Sequence, residues 1–426
     1  MVSRIVRVAL LTWAYPPEKS GLTRAAREIA QSLAEAGHDV CVFTMDRRKA
    51  EDRRDVGDQG EAGHDGRVRV IGCGLRDGSP AARLRKMAGL GHFVAPLAFR
   101  RALVREHRRA PFDVVEATNW YAPGLAVALA GPAPLVTRNS TPAATSAATV
   151  TSLRDRFDRQ VAMLVERIAA RRSKALISNT YVHGQKIAAL YGVPEPATPG
   201  HAVIGLSLPP EIVERGKAAR YPGDTPIQLL FVGRDEHRKG FDALIMALRI
   251  LSRRADAGMP EFRLTIVGVA ADDVGALPAS AKARLTCHHR VDEPVLHALM
   301  EAAHVVVAPS RYESFGLVYQ EAMMFGRPVV ACAEDPSARL FIGDSDAGLL
   351  AKRCTGDDVA TQIQRLIEDP ALREHHAAAS RHAAGRVTRD TLAVQTAAAY
   401  RTAIGSNEAS SNASSSGLPA PVDIAS

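Results

Sequence analysis

The sequence predicts an α/β protein built from two consecutive series of strand–loop–helix units of the doubly wound, parallel kind. Three features point there. Short apolar, β-branched runs alternate with stretches of helical periodicity from residue 4 to about residue 390. The alternation is broken once, by a proline-rich stretch at 199–226 that we take as the linker. The 426 residues, 46% of them hydrophobic, supply enough material for two domains.

In the first series, residues 4–12 read as a strand, 13–21 as a loop, 22–36 as a helix closed by Gly37, and 38–44 as the next strand. Residues 45–67 are charged, glycine-bearing and aperiodic, the pattern of a mobile surface loop. Asp113-Val-Val-Glu116 reads as a strand before residues 124–130, and further strands are expected at 134–138 and 175–179. In the second series we expect strands at 227–232 and 263–267 and helices at 241–254 and 293–303. His304-Val-Val-Val-Ala-Pro309 reads as a buried strand ended by proline, and 317–325 as a helix closed by Gly326 and Pro328. We expect domains at 1–205 and 206–390, a last amphipathic helix at 391–405, and a disordered Ser/Ala/Asn/Pro-rich tail at 406–426.

The five cysteines (Cys41, Cys73, Cys287, Cys332, Cys354) are scattered without metal-ligand spacing, which suits unpaired thiols in a reducing compartment. The apolar run at residues 8–11 is too short for the core of a signal peptide, and no run approaches membrane-spanning length. We therefore expect a cytoplasmic protein. The net charge of +8 is uneven: residues 1–210 hold 30 Lys+Arg against 19 Asp+Glu, and the remainder holds 24 against 27. The excess concentrates at 76–109 and 154–174. Two readings stay open: a surface that meets an anionic acceptor or a membrane peripherally, or an arginine-rich solvated surface. Nucleic acid fits poorly, since aromatics are sparse and no nucleic-acid motif is present.

The most informative stretch is Ser310-Arg-Tyr-Glu-Ser-Phe-Gly-Leu-Val-Tyr-Gln-Glu321. It sets two carboxylates eight residues apart across a strand-to-helix junction, with Glu313 at the strand's end and Glu321 about two turns into the helix. The amides of Ser314, Phe315 and Gly316 precede that helix, where unpaired N–H groups and the positive dipole end attract an anion or a hydroxylated ligand. The stretch resembles the Glu-x7-Glu signature of the family-4 retaining glycosyltransferases, with Ser314 where the usual first glycine stands.

That resemblance covers about residues 4–390. It implies the GT-B arrangement, two Rossmann-like domains with the active site in the cleft between them, and a last helix crossing back to the first domain. It also implies that Glu313 lies beside the donor sugar, Glu321 holds the nucleotide's ribose, and Ser314, Phe315, Gly316 and Leu317 line the donor site. Gly233-Arg234 and Lys239-Gly240 resemble the family's G-R-x-x-x-x-K-G segment, whose cations neutralise the donor diphosphate. Breaking a sugar–phosphate bond builds negative charge on the leaving group, so fixed cations are what the chemistry needs. Arg234 and Lys239 are thus expected at the diphosphate and in catalysis, with His237 and Arg238 facing solvent. His288-His-Arg-Val-Asp-Glu293 aligns with a segment that contacts the base, through Arg290 or Val291. No metal is expected, either at Asp344-Ser-Asp346 or at the paired histidines.

The family pattern breaks on the acceptor side. Ser20-Gly21 stands where the family's first-domain loop carries a glycine pair near the donor phosphates, and the resemblance implies that Gly21 still lets backbone approach the donor. Ala25 and Ser140 replace two common histidines, and no glycine pair follows the strand before Cys332-Ala-Glu-Asp-Pro336. Asn119, Trp120, Arg138 and Ser140 are the acceptor-side candidates, Trp120 reading equally as packed beneath a loop or as a sugar platform. The implied activity is metal-independent, retaining transfer of a hexose-type sugar from a UDP- or GDP-sugar to an acceptor hydroxyl. Cell-envelope glycan, glycolipid or glycoside biosynthesis is the expected setting. Alternatives are glycosylation of a small soluble metabolite, or donor binding without transfer.

Overall fold

The computed structural model describes residues 5–17, 20–48, 64–145, 152–223 and 226–415. The chain divides into two compact units. One is built on residues 1–144, 150–204 and 390–426; the other is built mainly on 205–389.

The first unit carries strands β1 (Arg7–Thr12), β2 (Asp39–Arg48), β3 (His64–Asp65), β4 (Val68–Gly74), β5 (Val114–Thr118), β6 (Leu135–Asn139), β7 (Ala175–Ser178) and β8 (His201–Val203). They form one sheet in the order β3-β4-β2-β1-β5-β6-β7-β8. Every pair is parallel except β3–β4. Strands flanked by helices bury both faces, which is why β5, β6 and β7 are buried almost end to end, Glu116, Arg138 and Asn139 included. The order in which strands are added reverses between β1 and β5, so the crevice beyond their carboxyl ends is where such a sheet takes a ligand.

The second unit adds β9 (Ile227–Val232), β10 (Phe262–Val267), β11 (Leu285–His288), β12 (Val305–Val307), β13 (Val329–Cys332) and β14 (Gly348–Ala351). The order is β11-β10-β9-β12-β13-β14, all parallel. Its reversal lies between β9 and β12, paired as Val305 to Leu229 and Val306 to Leu230. The loops after Val232 and Val307 therefore leave the sheet side by side. Ile227, Leu229, Phe231, Val305 and Val307 face a core shared with the helix Phe241–Asp256.

Four expectations change. Residues 45–67 are not one loop: β2 runs through Met45 to Arg48 and β3 takes His64 and Asp65, while 49–63 lie outside the described residues. The stretch at 199–226 is not a bare linker, because it contains β8 and the helix Pro210–Ala218, opened by prolines that suit a first turn. The last helix spans Arg389–Ser415 rather than ending at 405, running on through Gly405. Residues 416–426 lie outside the described residues. Finally, the helix after Glu313 starts at Leu317 as expected, and at 3.6 residues per turn that puts Glu321 little more than one turn in rather than two.

Candidate donor and acceptor sites

Val305–Val307 is a short β-branched strand that ends at Pro309, whose ring forbids a further ladder bond. The chain then turns through Ser310 to Gly316 at the reversal of the second sheet. The loop after β9 closes against it. Arg311 N donates to Arg238 O (2.8 Å), and the Arg311 guanidinium grips Asp242 at 2.7 and 2.8 Å. Gly240 makes this closeness possible. It has φ +69°, and a Cβ there would fall inside the van der Waals shell of the Pro309 carbonyl oxygen.

This stitching delivers two cations to Glu313. Lys239 Nζ lies 2.7 Å from its Oε1, and Arg238 Nη1 lies 3.2 Å from its Oε2. Ser310 Oγ donates to Oε1 at 2.7 Å. Glu313 is 7% exposed. Burial works to raise its pKa, but Lys239 and Arg238 together outweigh it and hold the carboxyl below the usual range. Asp335 fixes the glutamate's backbone, accepting from Glu313 N (2.9 Å), Tyr319 OH (2.9 Å) and the amides of Ser337 and Ala338. Burial, and then the Glu313 charge, push Asp335 up to about 6.

The expected donor residues of the second unit fall into three groups, and Gly21 belongs to the first unit. Glu313, Lys239, Ser314, Phe315, Gly316 and Leu317 gather where the loop enters the helix. Gly316 has φ +83° and no side chain caps the helix, which leaves its first N–H groups to a ligand. Phe315 is buried edge-on against Phe341 (5.1 Å), and Glu321 is buried in the helix. Arg234 stands apart on the rim, its side chain 75% exposed and 2.7 Å from Glu236. Arg290 and Val291 follow the edge strand β11, where Val291 packs on the core and Arg290 is exposed.

In the first unit a cleft of about 800 Å³ opens beyond the carboxyl ends of β1, β2 and β5, lined among others by Trp13, Asp46, Arg85, His92, Trp120 and Arg154. Trp13 Nε1 donates to Trp120 O (2.6 Å), and Tyr121 stacks on His92 at 5.4 Å. Trp120 therefore lines the cleft as well as packing on Tyr121. Glu166 carries this loop. Its buried carboxylate accepts from Tyr121 N (2.9 Å), Tyr191 OH (2.8 Å) and Ala143 N (3.1 Å), and burial pushes it up to about 7. Gly21 opens the helix Gly21–Glu35, and nothing lies within 4 Å of where its Cβ would be. Ser20 is that helix's cap, in a capping box with Thr23.

The other acceptor candidates are internal. Asn119 is fully engaged, accepting from Ser140 N (2.7 Å) and donating to Tyr191 OH (3.0 Å), and Ser140 Oγ lies 3.1 Å from Thr118 Oγ1. Arg138 is buried against Glu116 (2.8 Å), and within the same unit the last helix closes over it. Thr396 Oγ1 accepts from Arg138 at 2.9 Å and Tyr400 OH donates to Glu116 at 2.8 Å. Neither Asn119 nor Arg138 is presented to a ligand.

Arg238 was missed as a partner of Glu313. Its side chain is only 12% exposed and bridges Glu313 and Glu236, contrary to the solvent-facing position expected; His237 is exposed. In the tight turn His237–Lys239 no periodicity tells which cation turns inward. Asp335 was missed as well; an aspartate directly before Pro336 is the helix-cap signal that marks it. Among the described residues, Asp346, His375 and His376 bring ligand-type atoms within 4.8 Å of one another, around an exposed turn where His375 Nε2 meets Asp346 Oδ2 at 2.5 Å. The cysteines are all unpaired, and no helix among the described residues is long and apolar enough to cross a membrane.

The family description "Glycosyl transferase 4-like domain" matches residues 20–199, and "Glycosyl transferases group 1" matches residues 215–383. Glycogen synthase of Mycobacterium tuberculosis (strain H37Rv) is 30% identical over 415 residues, spanning 93% of this chain and 94% of that protein. D-inositol 3-phosphate glycosyltransferase of Pseudarthrobacter chlorophenolicus is 30% identical over 397 residues, or 87% and 89% of the two chains. Among solved structures, sucrose-phosphate synthase from Thermosynechococcus elongatus matches with a TM-score of 0.70 at 22% identity, over 94% of this chain and 99% of that one. The last likeness bears on the fold alone.

Proposed function

The chain belongs to the GT-B glycosyltransferases, its two halves matching the 4-like and group 1 families, and on that premise we propose a retaining, metal-independent hexosyltransferase. It takes a UDP- or GDP-sugar in the second unit and transfers the sugar to an acceptor hydroxyl. The observation that carries this reading is Glu313, a buried carboxylate kept ionised between Lys239 and Arg238 at the sheet reversal, beside an uncapped helix start.

In this account the donor diphosphate meets Lys239, Arg238 and Arg234 together with the amides ahead of Leu317. Those groups neutralise charge that grows as the anomeric C–O bond breaks. Glu313 orients the sugar hydroxyls and supports positive charge developing on the ring. The acceptor oxygen bonds the anomeric carbon from the face the diphosphate leaves, and a diphosphate oxygen takes its proton, so configuration is retained. Glu321 would hold the ribose, and Arg290 or Val291 the base. Gly21 would let backbone of the first unit approach a ligand.

The acceptor would enter the aromatic cleft at Trp13 and Trp120. The two basic segments around it, 76–109 and 154–174, hold 16 Lys+Arg against 5 Asp+Glu. They favour an anionic acceptor, as expected of a cytoplasmic enzyme of cell-envelope glycan or glycolipid synthesis.

The test incubates the protein with a panel of UDP-, GDP- and ADP-sugars and follows nucleoside diphosphate release, for wild type and Glu313→Gln. Slow hydrolysis of one donor by wild type, falling about 100-fold in the variant, is expected. Nucleotide binding with no turnover across a broad acceptor set would replace the reading with donor binding alone. No nucleotide binding would end it.

A further inference from the structure

Surface helices usually bury an apolar stripe and give charge to water. The helices Gly91–Arg109 and Leu153–Arg172 bury such a stripe through Phe99, Ala102 and Leu103 in one and Ala162, Val165 and Ala169 in the other. Their open faces nevertheless begin apolar. Leu90, Phe93 and Leu97 follow at helical spacing at the head of the first and are 53%, 42% and 48% exposed. Leu153 and Phe157 head the second at 81% and 57%. Each open face then turns basic, through Arg101 and Arg108 in one and Arg167 and Arg171 in the other. The two apolar ends are fastened together: Gly89 N donates to Asp158 (2.9 Å), His92 lies 3.0 Å from Asp158, and Arg154 donates to Lys86 O (3.1 Å). They also border the cleft, which Gly91, His92, Arg154 and Asp158 help to line.

We propose that these two helix ends form a docking face for an anionic lipid bilayer. The exposed leucines and phenylalanines would enter the headgroup boundary, and the arginines further along each helix would meet anionic headgroups. An apolar edge backed by cations is the composition of a surface that lies on a membrane rather than crossing it. The excess of 16 cations over 5 anions across residues 76–109 and 154–174 selects an anionic bilayer over a neutral one. The proposal rests on the transfer reading only in what it adds to it: a cleft bordered by this face would meet an acceptor carried by the lipid.

Co-sedimentation of the full chain with phosphatidylcholine vesicles, with and without phosphatidylglycerol, tests it, together with Leu90→Ser/Leu153→Ser and Arg101→Glu/Arg167→Glu variants. Wild type should bind only the anionic vesicles and lose binding at high salt, and each variant should bind about tenfold more weakly. Thermal unfolding followed by circular dichroism should be unchanged in both variants and shows that they are folded, and nucleoside diphosphate binding is measured on the same samples. Unaltered vesicle binding by the leucine variant would overturn the proposal in favour of simple adsorption. No binding by wild type, or a doubled mass in solution abolished by the leucine variant, would overturn it in favour of a soluble enzyme or a second copy of the chain. Vesicle binding without any nucleotide binding would leave the docking face standing and sink the transfer reading alone.

Discussion

Glu313 and Glu166 are both buried glutamates supporting loops at the carboxyl edge of a parallel sheet, one in each unit, yet their charges are set in opposite directions. Glu166 is enclosed by neutral donors, two backbone amides and a tyrosine hydroxyl, and burial pushes it up to about 7. Glu313 meets a comparable burial penalty, but Lys239 and Arg238 outweigh it and keep the carboxylate ionised. The charge of the neighbours, rather than depth, decides ionisation. Glu116 offers a third case, paired with a buried arginine and sealed by Tyr400. Lys239 differs in being 21% exposed, so a ligand can reach it. That distinction separates an ion pair open to a ligand from one sealed inside the fold.

The largest effect should come from the sealed pair. Arg138→Met leaves Glu116 buried without its cation and is expected to cost about 3–5 kcal/mol in urea unfolding. A folded, stable Arg138→Met protein lacking only activity would instead restore Arg138 to the acceptor site. Next is the pH dependence of Glu166. Its folded pKa lies above the ordinary 4.5, so its contribution is fully present below pH 4.5 and is lost as pH rises through about 7. Unfolding of wild type and Glu166→Gln compared at pH 4.5 and pH 8 should show the variant gaining on the order of 3 kcal/mol relative to wild type. A pH-independent difference would mean that Glu166 is ionised throughout, like Glu313.

Gly240→Ala should cost about 1–3 kcal/mol through its left-handed backbone, and more through the clash with Pro309. Nucleoside diphosphate affinity should fall with it, because the turn holding Arg238 and Lys239 must shift. Unchanged affinity would detach that turn from the donor site. His237→Ala, beside two engaged cations yet exposed, should change stability by less than about 0.5 kcal/mol.

Much of the second unit was legible because its constraints are local. The β-branched strand, Pro309, the glycines at 240 and 316, and Lys239 just ahead of Gly240 lie within short stretches whose geometry their residue types impose. Arg238 escaped because a three-residue turn has no periodicity from which to read direction. On the acceptor side, Asn119 and Arg138 looked available because their partners are remote: Tyr191 is 72 positions from Asn119, Thr396 is 258 from Arg138, and Tyr400 seals Glu116 from 284 positions away. Glu166 was invisible for the same reason: its ligands come from three separate segments. Sequence pattern reports what neighbours along the chain demand, and these burials are set by residues remote from it.

The central claim is that Lys239 serves the diphosphate while Glu313 serves the sugar. Calorimetric titration of the nucleoside diphosphate, paired with donor turnover, separates the two roles in Lys239→Gln and Glu313→Gln. Lys239→Gln should weaken nucleotide binding by about tenfold or more, whereas Glu313→Gln should bind it at least as tightly as wild type and lose about 100-fold in turnover. Loss of nucleotide binding in Glu313→Gln, with Lys239→Gln binding normally, would contradict the account.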